Sequence, residues 1–158
     1  MLHKGTTSGT TKQQIEVLPG LFHLPTSSSD KPYLIGSKCK LCGYVSFPKR
    51  VVCPACVKGI TMEEVALSRY GTVSSFSISR VAPPGFTVPY IQSFVELDEG
   101  PRIFSLITGC EPEEKALQIG MRVELVIGKI CEDEKGNDVI GYQFQPIKKN
   151  QTKKRGRL

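Results

Sequence analysis

Two histidines, His3 and His23, are the only side chains among 158 residues whose ordinary pKa lies near neutrality. A Cys/His nucleophilic pair would need one of them to fold back onto Cys110 or Cys131, the two cysteines that stand apart. HExxH, GxSxG and a glycine-rich phosphate loop followed by lysine are all missing. The chain therefore does not read as a free-standing enzyme. No apolar run approaches the roughly 18 residues of a membrane span. Residues 1–12, mostly Thr, Ser, Gly and Lys, carry no apolar signal core. The expected location is the cytoplasm, where thiols bind metal rather than pair as disulfides.

Acid is missing from one region. Positions 148–158 hold Lys148, Lys149, Lys153, Lys154, Arg155 and Arg157 without a single Asp or Glu, and these six account for the net charge of +6. The remainder has 15 basic and 15 acidic residues. A neutral body with a basic tail reads as a solvated, disordered tail more readily than as a nucleic-acid-binding fold.

What the chain does have is Cys39-Lys-Leu-Cys42 and, after ten further residues, Cys53-Pro-Ala-Cys56. Each two-residue spacer turns back and aims both sulfurs inward, so the two knuckles bring four thiolates to one tetrahedral ion. Thiolates favour zinc or iron. Four protein ligands leave no position for water or substrate, which makes one structural Zn2+ the expectation, with rubredoxin-like iron and a redox disulfide as alternatives.

The expected organisation is a flexible arm (1–32), a zinc ribbon (33–60), an OB-fold domain (61–147) and the basic tail (148–158). The arm contains an apolar strip, Ile15 to Leu24, broken by Pro19-Gly20 and suited to packing in extended form. Tyr33 to Lys38 and Tyr44 to Phe47 form the ribbon's hairpin. After a strand at 62–68, five segments carry strand patterning: Tyr70 to Arg80, Tyr90 to Leu97, Arg102 to Thr108, Arg122 to Ile130 and Asp138 to Gln145. Between the third and fourth, Glu111 to Gly120 has proline at a first helical position, acids in the first turn and a terminal glycine, which predicts one short helix. The fold class is mostly β, a rubredoxin-like ribbon before a five-stranded OB barrel.

The loop Val81-Ala-Pro-Pro-Gly-Phe-Thr-Val-Pro-Tyr90 joins the first two barrel strands. Its prolines restrict it and hold Phe86 and Tyr90 ready to receive a ligand, or simply to close one end of the barrel. Lys49, Arg50 and Arg80 are candidates to meet phosphates, and Pro84, Phe86 and Tyr90 complete the candidate contact set.

The ordered series of Cys39-x2-Cys42-Gly43, Phe47-Pro48-x4-Cys53-Pro54-x-Cys56, Gly71-Thr-Val, Pro-Pro-Gly-Phe-x3-Pro-Tyr, Val95-Glu-Leu-Asp-Glu-Gly-Pro101 and Ile119-Gly-Met-Arg-Val-Glu124 resembles the acyl-CoA-associated zinc-ribbon/OB-fold proteins. The likeness spans about Tyr33 to Pro146 and is nearest to small subunits of thiolases of anaerobic aromatic degradation. It implies a non-catalytic partner of a thiolase-type catalytic subunit in a hetero-oligomer, with CoA or acyl-CoA at the interface and the ribbon and Pro-rich loop in contact. Where many members carry an aromatic-rich helix before the ribbon, this chain has Val17 to Leu24. An independent acyl-CoA hydrolase lacks a base. Single-stranded nucleic-acid binding is the rival from another class; Tyr90, Phe94 and Phe104 would be its platforms, but Glu96, Asp98 and Glu99 would repel a phosphate backbone.

Overall fold

Residues 12–147 are described in a computed structural model of the chain. The tail at 148–158 lies outside them, as do residues 1–11 of the arm. Ten strands follow one another: β1 (Gln14–Glu16), β2 (Phe22–His23), β3 (Tyr33–Cys39), β4 (Val45–Ser46), β5 (Met62–Ala66), β6 (Tyr70–Ser79), β7 (Tyr90–Leu97), β8 (Arg102–Ile107), β9 (Arg122–Glu132) and β10 (Asp138–Pro146). None of the described residues forms a helix, so no helix is long and apolar enough to cross a membrane.

Period-two patterning builds the barrel. Ile91, Ser93, Val95 and Leu97 of β7 point inward, as do Ile103, Ser105 and Ile107 of β8, while Phe94, Glu96 and Phe104 point out. Each strand hydrogen-bonds to the next in the order β9-β6-β7-β8-β10, and β10 returns to β9 to close the ring. The β8–β10 pairing is parallel and the other four are antiparallel. This is the OB-fold arrangement expected from the strand pattern. Val73, Val95, Val123, Leu125 and Phe144 are fully buried inside it.

The expected helix at 111–120 is replaced by turns. The Ala116 amide reaches the Glu113 carbonyl and the Met121 amide the Gln118 carbonyl, each spanning three residues and not continuing into a ladder. A ten-residue segment gains little from helical bonding alone. Here it gains more by pairing Gly120 and Met121 with Val73, at 2.8 and 2.9 Å, and by driving Leu117 into the barrel, where it is buried.

In the ribbon, β3 pairs with β4 and also with β5, the strand that precedes the barrel in the chain. The described part of the arm is tied in twice. β1 lies parallel to β10, β2 pairs with β3, and the Leu21 carbonyl accepts the Ile35 amide at 2.8 Å.

Candidate functional site

The two knuckles close through backbone turns, Gly43 N–H to the Cys39 carbonyl and Val57 N–H to the Cys53 carbonyl. All four Sγ atoms of Cys39, Cys42, Cys53 and Cys56 lie within 4.8 Å of one another. The Cys39–Cys56 and Cys42–Cys53 separations are 3.8 and 3.5 Å. Zinc–thiolate bonds of about 2.3 Å give a tetrahedral unit with sulfur–sulfur edges of about 3.8 Å, so the donor set fits Zn2+. Thr61, not foreseen from the sequence, places its Oγ1 3.2 Å from Cys39 Sγ. That hydroxyl, with the Cys42 and Leu41 amides, brings the Cys39 thiol down to about 6. The Tyr44 amide favours the Cys42 thiolate, but desolvation and the crowding of Cys53, Cys39 and Cys56 outweigh it and push that thiol up to about 11. Sulfurs this close oppose one another's ionisation, and a divalent cation resolves the conflict. With every ligand from protein, such an ion would staple the fold and would not activate water.

The second region is the 81–90 loop. Gly85 has φ +92°, and a Cβ there would sit 2.1 Å from the Glu132 carbonyl oxygen. The Glu132 amide donates to the Gly85 carbonyl at 2.9 Å, which fastens the loop to the end of β9. Only glycine permits this approach. It brings Phe86 beside Tyr90, with ring centroids 5.8 Å apart. Both border a cleft of about 530 Å³ whose floor includes Leu106, Lys129, Cys131 and Gln143. Phe86 also walls a neighbouring cleft of about 430 Å³, closed by Val17, Leu18 and Leu21 of the arm and by Phe104, Ile130 and Tyr142 of the barrel.

Glu132 is a junction as well as an anchor. Lys12 and Lys129 meet its carboxylate at 2.8 and 2.5 Å, and Lys129 also reaches Asp138 at 2.8 Å. Hydrogen bonds from Lys12 and Lys129 hold the Glu132 carboxyl down to about 2. Cys131 has its thiol pushed up, first by burial and then by Asp133; burial does the same to Cys110. His23 is engaged elsewhere, 2.6 Å from Asp30 and stacked on Tyr33.

Of the six contact candidates, Phe86 and Tyr90 come together, with Pro84 exposed just before Gly85. Arg80 is exposed at the end of β6. Lys49 pairs with Glu64 at 2.8 Å and Arg50 is exposed; both belong to the ribbon and line neither cleft. The set is thus divided between two surfaces. Ile130, Tyr142 and Lys129 were not foreseen as lining residues, and Phe104 was singled out only as a platform for the nucleic-acid alternative. The only sequence signal for the arm's share was its apolar strip.

Residues 30–60 match the family described as ChsH2, rubredoxin-like zinc ribbon domain, and residues 64–128 match ChsH2, C-terminal OB-fold domain. A DUF35 domain-containing scaffold protein of Methanocaldococcus jannaschii is 44% identical over 72% of this chain and 82% of its own length. The benzoylsuccinyl-CoA thiolase subunit BbsA of Thauera aromatica is 35% identical over 82% of this chain and 86% of its own. Among solved structures, an Ltp2-ChsH2(DUF35) aldolase chain superposes with a TM-score of 0.59 at 28% identity, covering 72% of this chain and 84% of that one.

Proposed function

Because this chain belongs to the ChsH2-type family that joins a rubredoxin-like zinc ribbon to an OB-fold, we propose that it is a non-catalytic accessory subunit of a thiolase or related acyl-CoA enzyme. The catalytic subunit supplies the nucleophilic cysteine and oxyanion stabilisation. This chain stabilises that subunit and covers its acyl-CoA entrance. Relatives named as a scaffold and as a thiolase subunit, matched over most of their length, support the reading.

The observation that carries it is the fastened loop with its two clefts. Gly85 locked against Glu132 holds Phe86 between a mixed cleft and an apolar one, so a partner or a CoA thioester meets a surface already ordered. Arg80 makes no ion pair among the described residues and is the cation available to a CoA phosphate near the loop. Lys129 already serves Glu132 and Asp138. One Zn2+ on the four cysteines stiffens the ribbon.

Co-expression with the thiolase-type subunit tests the role of the loop. Phe86→Ala with Tyr90→Ala is expected to weaken the complex or its acyl-CoA turnover by about tenfold or more, the size typical of aromatic anchors. Full complex formation together with full turnover in that variant contradicts the loop's part.

A further inference from the structure

The second knuckle closes through a residue ill suited to the turn it makes. Val57 follows the second knuckle at φ 52°, the left-handed region that a β-branched residue strongly disfavours. Gly43 holds the corresponding place after the first knuckle, at φ 76°. Val57 gains nothing from burial either, since its side chain is 71% exposed. Ile60 is 81% exposed, and Val52, its partner in an isolated antiparallel bridge, is exposed too. Leu41 and Val51 extend this aliphatic surface around the metal end. A conformational cost at an exposed apolar residue marks a position kept for contact with something outside the chain.

The charges specify what that is. Residues 33–60 contain Lys38, Lys40, Lys49, Arg50 and Lys58 and no acidic side chain. Glu63 and Glu64 of β5 take Lys40 and Lys49. Lys38, Arg50 and Lys58 have no carboxylate partner among the described residues. Aliphatic side chains offer a nucleobase little to stack on, whereas they fill the dry centre of a protein interface. We infer that the metal end of the ribbon, centred on Val57 and Ile60, docks an apolar protein face rimmed by Asp and Glu, supplied by the catalytic subunit. This assignment rests on the accessory-subunit reading and gives the ribbon's part of the contact its residues and its chemistry.

The test measures affinity for the purified thiolase-type catalytic subunit by biolayer interferometry, using full-length zinc-loaded protein. Val57→Gly removes the apolar contact while relieving the backbone, so it separates docking from folding. Expected are retained zinc, a ribbon at least as stable as wild type, and affinity weaker by about tenfold for Val57→Gly and for Ile60→Ser alike. Arg50→Glu with Lys58→Glu is expected to slow association by about tenfold at low salt, the difference shrinking as salt is raised. Unchanged affinity in Val57→Gly and Ile60→Ser, with the wild-type complex intact, overturns the ribbon surface but leaves the accessory role standing. A wild-type chain that does not bind the catalytic subunit at all overturns both. A single-stranded oligonucleotide that binds wild type and is lost on Val57→Gly assigns the surface to nucleic acid and also overturns the inference.

Discussion

At Val57 and Gly43 the same backbone turn is made once with the wrong residue for the geometry and once with the right one. Relief of the left-handed valine should stabilise the ribbon by about 1 kcal/mol, seen as a higher chelator concentration at half release of zinc from Val57→Gly. At the ligands, Cys53→Ser or Cys56→Ser should abolish stoichiometric zinc and unfold the ribbon, because metal-binding free energy is much of its folding free energy. Metal analysis and near-ultraviolet dichroism read this directly; a native ribbon without zinc contradicts it. Gly85→Ala pushes a methyl group into the Glu132 carbonyl. It should cost about 2 kcal/mol or detach the loop, with faster amide exchange at Phe86 and Glu132 as its mark. The four cysteines were legible because knuckle spacing is a covalent constraint visible in the chain. The Thr61 hydroxyl and the φ of Val57 were not, since neither residue type in isolation signals a second-layer contact or a left-handed turn.

Among the elements, the barrel strands were readable from period-two alternation, and their observed limits differ little from those expected. Glu111 to Gly120 misled because capping signals describe local preference, whereas the gain from Leu117 in the barrel and from pairing with Val73 is tertiary. The arm is the converse case. Its apolar strip is suited to packing in extended form but does not show where it packs: Val17 donates to the Ile140 carbonyl at 2.8 Å, and Lys12 bridges to Glu132. That bridge gives the arm a pH dependence of defined sign. Glu132 is depressed from 4.5 to about 2, so its contribution is complete above pH 4.5 and disappears as pH falls from there through about 2. Asp138, held down chiefly by Lys129, works in the same direction. Backbone resonances of Gln13 to Val17 should therefore leave their native positions in that acid range before the barrel unfolds. Glu132→Gln should remove most of the effect, and an arm that stays native until the barrel melts contradicts it. The Lys12–Glu132 pair is well exposed to solvent, so salt should weaken the arm's attachment as well.

At the scale of the whole molecule, the order of ribbon before barrel was legible from the motif series. The clefts were not. They assemble Val17, Leu18 and Leu21 with Phe86, Phe104, Leu106, Ile130 and Tyr142 from segments far apart in the chain, which only a closed barrel and a returning arm bring together. The outer face also carries Phe94 and Phe104 in an edge-to-face pair at 5.5 Å, beside the Glu96–Arg102 ion pair. Together these features give the protein apolar surfaces on the barrel and a fastened loop, while its described thiols outside the knuckles are pushed away from ionisation. That combination suits a part that shapes another protein's site. The most direct measurement is reconstitution: purified zinc-loaded chain mixed with the purified thiolase-type subunit, followed by light scattering on size exclusion and by acyl-CoA turnover. A stable hetero-oligomer whose turnover exceeds that of either component alone is the expected result. A catalytic subunit that elutes apart from this chain and is fully active without it would contradict the account.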